Sequence, residues 1–317
     1  MKLARDGFAQ ADEQGRAFFP VFPLLIAGAQ IVVRDWTLAG LLVTLVCSML
    51  ALRWFLQIAR TRFPAADGAA YAAAACLLAF PTAFFLTVVY TEAVFCAALL
   101  CYMRGVQVGS RAMRLGAALL LPLCRPQGIL LASAVLAIAV VRLVRGDRRA
   151  TVQYAFDLLA FGVGAAIYLS FCWAIYGHPF AGIDAQKVNV FGNSLAHALD
   201  PLRFLNFLSN SSDSWFSYLN GGLDKLFAFV MLSGTFVVLR LRDGMWTCMY
   251  LALIWLPASM GSGGAFSRYA FLGVPFLALA ALEIWSRSPR VLWCIAAVSS
   301  VAQVLLAGRF AVNLWVG

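Results

Sequence analysis

Long apolar stretches recur from Pro20 to the C-terminus, broken mostly by short arginine-bearing segments. That recurrence constrains the fold more than any other feature. A membrane-spanning helix needs about 20 apolar residues, and inside lipid each backbone polar group must bond within its own segment. Candidate segments are 20–33, 36–58, 69–89, 91–103, 113–141, 154–176, 225–239, 245–260, 269–286 and 291–312. The expected fold class is therefore all-α. It is a polytopic transmembrane helical bundle of about eight to ten membrane helices, some short or discontinuous. The alternating segments of about ten residues that build a β-barrel are not seen.

Composition agrees. The chain is 63% hydrophobic and 12% charged, whereas a soluble domain carries about 25% charged residues. The net charge of +10 comes from 21 arginines and 3 lysines against 14 acidic residues. These arginines sit at segment ends, where the positive-inside bias places them, and not in a basic groove interleaved with aromatics. Nucleic acid is not an expected partner. All eight cysteines lie in apolar stretches, with no C-x-x-C pair and neither His178 nor His197 nearby. Neither a zinc site nor a disulfide framework is expected. The polar opening, MKLARDGFAQADEQGR, is not a signal peptide.

Arginine counting orients the second half. Arg142, Arg145, Arg148 and Arg149 form the densest basic loop, expected to be cytoplasmic. Segment 154–176 then leaves the cytoplasm, and the loop over about 177–224 faces outside. Arg240, Arg242, Arg287 and Arg290 return to the inside. Arg104, Arg111 and Arg114 mark a further inner loop, so 69–103 reads as a hairpin with its tip near Pro81–Glu92 outside. Segment 113–141, interrupted by Pro122, Arg125 and Pro126, reads as a second hairpin with its tip at the same level. Segments 20–33 and 36–58 cannot both span without a parity conflict. No repeat or linker is evident, and 1–317 is expected to be one integral membrane domain.

Ionisable residues inside membrane segments are costly and mark function by default. Three places qualify. Tyr90-Thr91-Glu92 interrupts a long apolar run. There Glu92 is either a solvated hairpin tip or a carboxylate in an outer-face cavity, bonding a sugar hydroxyl or a cation. Arg125-Pro126-Gln127-Gly128 breaks a helix. Its arginine can hold a phosphate bidentately or merely snorkel beside a kink. The third is Gly261-Ser262-Gly263-Gly264 followed by Ser267-Arg268-Tyr269. It suits an anionic headgroup or is a plain turn with an interfacial anchor. All three fall at the outer face. Asp6, Asp12 and Glu13 form the acidic cluster before the first segment, and ordinary solvation accounts for them. His178 and His197 read as surface-loop residues. Motifs of soluble enzymes are absent: no G-x-G-x-x-G, P-loop, G-x-S-x-G or H-E-x-x-H.

Five segments, in order, resemble the PIG-V family of mannosyltransferases: AFFPVFPLL at 17–25, FPTAFFLTVVYTEAVF at 80–95, RPQG at 125–128, HPFA leading to Ala185-Gln186, and Ser267-Arg268-Tyr269 with Pro275. The similarity covers nearly the whole chain. It implies a GT-C-like integral membrane glycosyltransferase, passing mannose from a polyprenyl-phosphate-linked lipid donor to a lipid, glycan or protein acceptor at the outer face. A bacterial inner membrane is the expected location. On this resemblance Glu92 is the candidate catalytic carboxylate. Arg125, Gln127, Gln186, Arg268, Tyr269 and Tyr90 are candidates for substrate or phosphate binding. No cofactor is assigned, and a divalent cation is left open. The family's first helix and the W-D pair after it, source of its catalytic carboxylate, have no counterpart here. The expectation is a misplaced start codon, with in-frame sequence upstream of Met1 encoding a helix that ends near Trp-Asp; a stop codon there would exclude it. A transporter or flippase, and a non-catalytic member of the family, remain as alternatives.

Overall fold

The computed structural model describes residues 2–12, 15–64, 67–186, 215–216, 221–260, 266–312 and 314. Most of the expected outer loop 177–224, including His197, lies outside the described residues, as do Glu13 and the 261–264 glycine run. Among the described residues all regular structure is helical. Two compact units divide the chain: Met1–Trp54 with Phe85–Lys187, and Phe55–Phe84 with Val188–Gly317.

The first unit holds a short α1 (Lys2–Asp6), α2 (Val21–Val33) and the first two-thirds of α3 (Trp36–Arg62). It continues with α5 (Glu92–Val108), α6 (Arg111–Cys124), α7 (Pro126–Val144), α8 (Arg148–Tyr176) and a one-turn α9 (Ala181–Ala185). α8 packs along both α6 and α7, and α5 packs along α6. Close approach is bought with glycine. A Cβ on Gly164 of α8 would lie 2.2 Å from the Leu119 carbonyl oxygen of α6. Small residues at crossings are how helices associate where lipid removes the hydrophobic drive. Ahead of α2 the chain has only short turns, held by aromatic packing. Phe8 meets the edge of Phe171 at 5.0 Å, and Phe19 stacks on Tyr168 at 4.1 Å.

The second unit holds the end of α3, α4 (Asp67–Ala79), α10 (Gly222–Val238), α11 (Gly244–Ser259), a one-turn α12 (Phe266–Ala270), α13 (Val274–Trp285) and α14 (Pro289–Ala311). α4 buries an alanine face (Ala69, Ala70, Ala72, Ala73) and packs against α13 and α14. Arg62 closes α3 by pairing with Asp243 at 3.2 Å and lying 4.8 Å over the Trp246 ring. Asp243 also caps α11, accepting from the Met245 and Trp246 amides.

Six helices are long and apolar enough to cross a membrane: α3, α7, α8, Gly222–Leu241, Phe266–Trp285 and α14. Their outer surfaces are apolar, with Phe236 75%, Val298 74% and Val304 70% exposed. Apolar exposure on this scale belongs against lipid. The chain is an integral membrane protein with an all-α polytopic bundle. α2 has 13 residues, about 20 Å at 1.5 Å per residue, which is short of the ~30 Å hydrocarbon core. It need not span, and the parity conflict in the first 60 residues eases. The apolar run 113–141 parts at Arg125, whose backbone is extended (φ −162°, ψ 158°) between α6 and α7.

Candidate functional site

Of the residues singled out in the first unit, Glu92, Arg125 and Gln127 converge. Glu92 is the first residue of α5, where its carboxylate also faces the positive end of the helix dipole. Arg125 stands at the α6–α7 break, and Pro126, lacking an N–H, is well placed to start α7. The two side chains meet at 2.7 Å, both buried at 0% and 6% exposure. Glu92 is thus not a solvated hairpin tip. Gln127 turns back so that Arg125 Nε donates to its Oε1 at 3.4 Å. Gly128 is obligatory here, because a Cβ would fall 1.9 Å from the Leu121 carbonyl oxygen.

Immediately before Glu92, Tyr90 and Thr91 line a cavity of about 430 Å³. Its lining includes apolar Phe18, Phe22 and Ile26 and charged Lys2, Asp6 and Asp12. Tyr90 is steadied by the edge of Phe85 at 5.3 Å. Asp6 is engaged by Arg5 at 2.7 Å, a hydrogen bond that holds its carboxyl below the usual range. Asp12 accepts the Gly15 amide at 2.7 Å through one oxygen, on an exposed side chain. A Cβ on Gly15 would press on that oxygen at 2.9 Å, so glycine lets the turn close around the carboxylate.

Gln186 spends its amide on the Ala17 carbonyl at 2.7 Å, tying the segment after α8 to the turn before α2. Phe19, Leu123 and Tyr168 form the apolar cluster beneath this join, with Ile183 against it. Arg268 and Tyr269 belong to the second unit. There the short α12 is pinned by buried Asp224, which accepts the Ser267 amide at 2.7 Å, and by Thr82, which donates to the Ser267 carbonyl at 3.0 Å. Tyr269 is buried and Arg268 half-buried.

Two groups of residues were given no site role from the sequence. Lys2, Asp6 and Asp12 share the cavity with Tyr90, although they precede every apolar segment. Tyr102, Arg114 and Asp157 form a second buried network: Tyr102 donates to Asp157 Oδ2 at 2.7 Å, and Arg114 Nη2 donates to the same oxygen at 2.6 Å. The signal for this network was an acidic residue three positions into an apolar segment. Among the described residues no three His, Cys, Asp or Glu side chains cluster to hold a metal ion. Compared with protein-family models, curated proteins and solved structures, the chain gives no match in any of the three.

Proposed function

We propose that the chain is a PIG-V-like membrane glycosyltransferase that moves mannose from a polyprenyl-phosphate donor to an acceptor at the outer face. One observation carries the reading. Four motif segments separated by up to 169 residues meet in one unit: AFFP bonds to Ala185-Gln186, and the YTE glutamate pairs with the RPQG arginine. Two of the segments, AFFP and YTE, also line the same cavity, whose wall combines apolar and charged side chains. That lining suits a donor with a hydrocarbon chain and a charged sugar-phosphate head.

In this proposal the donor phosphate is drawn to Lys2 in the cavity lining. Asp12 is the general base: it takes the proton of the acceptor hydroxyl as that oxygen attacks the anomeric carbon. The bond from that carbon to the phosphate oxygen breaks, and polyprenyl phosphate leaves with its electron pair. Glu92 is a positioning residue. Its carboxylate holds Arg125, and through the start of α5 it fixes Thr91 and Tyr90 at the cavity wall. Gln127 and Gln186 brace the arginine and the AFFP turn.

The test is transfer from labelled polyprenyl-phosphate-mannose in membranes carrying the chain. Asp12→Asn preserves the acceptor for Gly15 and removes only the base, so transfer is expected to fall about a hundredfold or more. Tyr90→Phe is expected to cost less, and neither variant should change folding. Undiminished transfer in Asp12→Asn overturns the assignment of the base. Labelled lipid crossing sealed vesicles without any transfer would make the chain a flippase instead.

A further inference from the structure

At the other ends of α5 and α6 lies a second cavity, of about 520 Å³, between the first turns of α6 and α8. Its lining includes Arg111, Arg114, Arg148 and Arg149 against one carboxylate, Asp157. That carboxylate is already matched, receiving Arg114 at 2.6 Å and the Tyr102 hydroxyl at 2.7 Å. Arg111 lies 4.7 Å over the face of Phe156. Arg111, Arg148 and Arg149 are exposed and have no carboxylate partner among the described residues.

Three unmatched cations therefore share one concavity, each in the first turn of a helix, where the dipole also disfavours positive charge. An anion relieves both. From the cavity an exposed apolar stripe runs along α8 through Val152, Phe156, Leu159 and Val163, spaced four, three and four residues apart. Inorganic phosphate has no use for that stripe, whereas an acyl chain does. By the positive-inside bias this end faces the cytoplasm, where anionic lipid is concentrated.

We infer that this cavity is a binding site for an anionic phospholipid, its headgroup phosphate held by Arg111, Arg148 and Arg149 and one acyl chain laid along α8. Nothing in it depends on glycosyl transfer. The test is native mass spectrometry of the full chain in detergent, titrated with dioleoyl-phosphatidylglycerol and, separately, dioleoyl-phosphatidylcholine. The wild type is expected to retain the anionic lipid at least about tenfold better. Arg111→Gln/Arg148→Gln/Arg149→Gln, all exposed positions, should erase that preference. Arg142→Gln/Arg145→Gln, in the same basic loop but off the cavity, should keep it. Equal losses in both variants would mean diffuse charge attraction and overturn the site. Displacement of the lipid by millimolar inorganic phosphate would overturn the assignment to lipid.

Discussion

Removing one partner of the Glu92–Arg125 pair leaves a buried charge without its counter-ion, the costly way to break such a pair. Glu92→Ala and Arg125→Ala are each expected to lower stability by ~3–5 kcal/mol. The double variant should lose less than their sum, as unfolding in detergent would show by a double-mutant cycle. Tyr102→Phe removes a single hydrogen bond to a charged acceptor and should cost ~1.5–3 kcal/mol. These residues differ in how readily the sequence betrays them. Glu92 and Arg125 stand alone in apolar runs, and their cost in lipid announces them. Arg114 and Asp157 lie within a few residues of basic loops, where charge is ordinary, so the acidic Asp157 inside 154–176 is an easily discounted sign of their burial at 6% and 1%. Asp12 and Lys2 precede every apolar segment, and the packing of Phe8 and Phe19 on α8, with the Gln186–Ala17 bond, holds their stretch of chain in the first unit.

Helices carry a different kind of information. Apolar length located nearly every element, because a lipid-facing helix must be apolar on most sides. Apolar length alone does not divide 113–141; Pro122, Arg125 and Pro126 mark the break there, and one extended residue, Arg125, makes two helices of one run. Nor does apolar length show which glycines sit at crossings. Gly164 and Gly116 are alike in sequence context. A Cβ at Gly164 would strike the Leu119 carbonyl at 2.2 Å, whereas one at Gly116 meets nothing within 4 Å. Gly164→Ala is therefore expected to destabilise the α6–α8 pair by ~1–3 kcal/mol. Gly116→Ala should be neutral or stabilising by up to ~1 kcal/mol, since helical glycine is itself costly. Thermal unfolding of the two variants in one detergent decides the comparison.

For the molecule as a whole, the arginine distribution predicts an orientation that reporter fusions can read. A fluorescent protein inserted at Gly146 is expected to fold and fluoresce, and alkaline phosphatase at the same position to stay inactive. Activity of the phosphatase there would invert the topology and place the lipid site proposed above at the outer surface. The alanine face of α4 has a bearing on biogenesis. Its partner, α14, begins more than 200 residues later in the chain, at Pro289. Gln303 reaches back to the Leu78 carbonyl at 2.9 Å, and Cys76 to the Leu292 carbonyl at 3.1 Å. During synthesis, then, α4 must wait with part of its small-residue seam unfilled until α14 emerges. Through those residues of synthesis the open part of the seam is accessible to quality-control proteases.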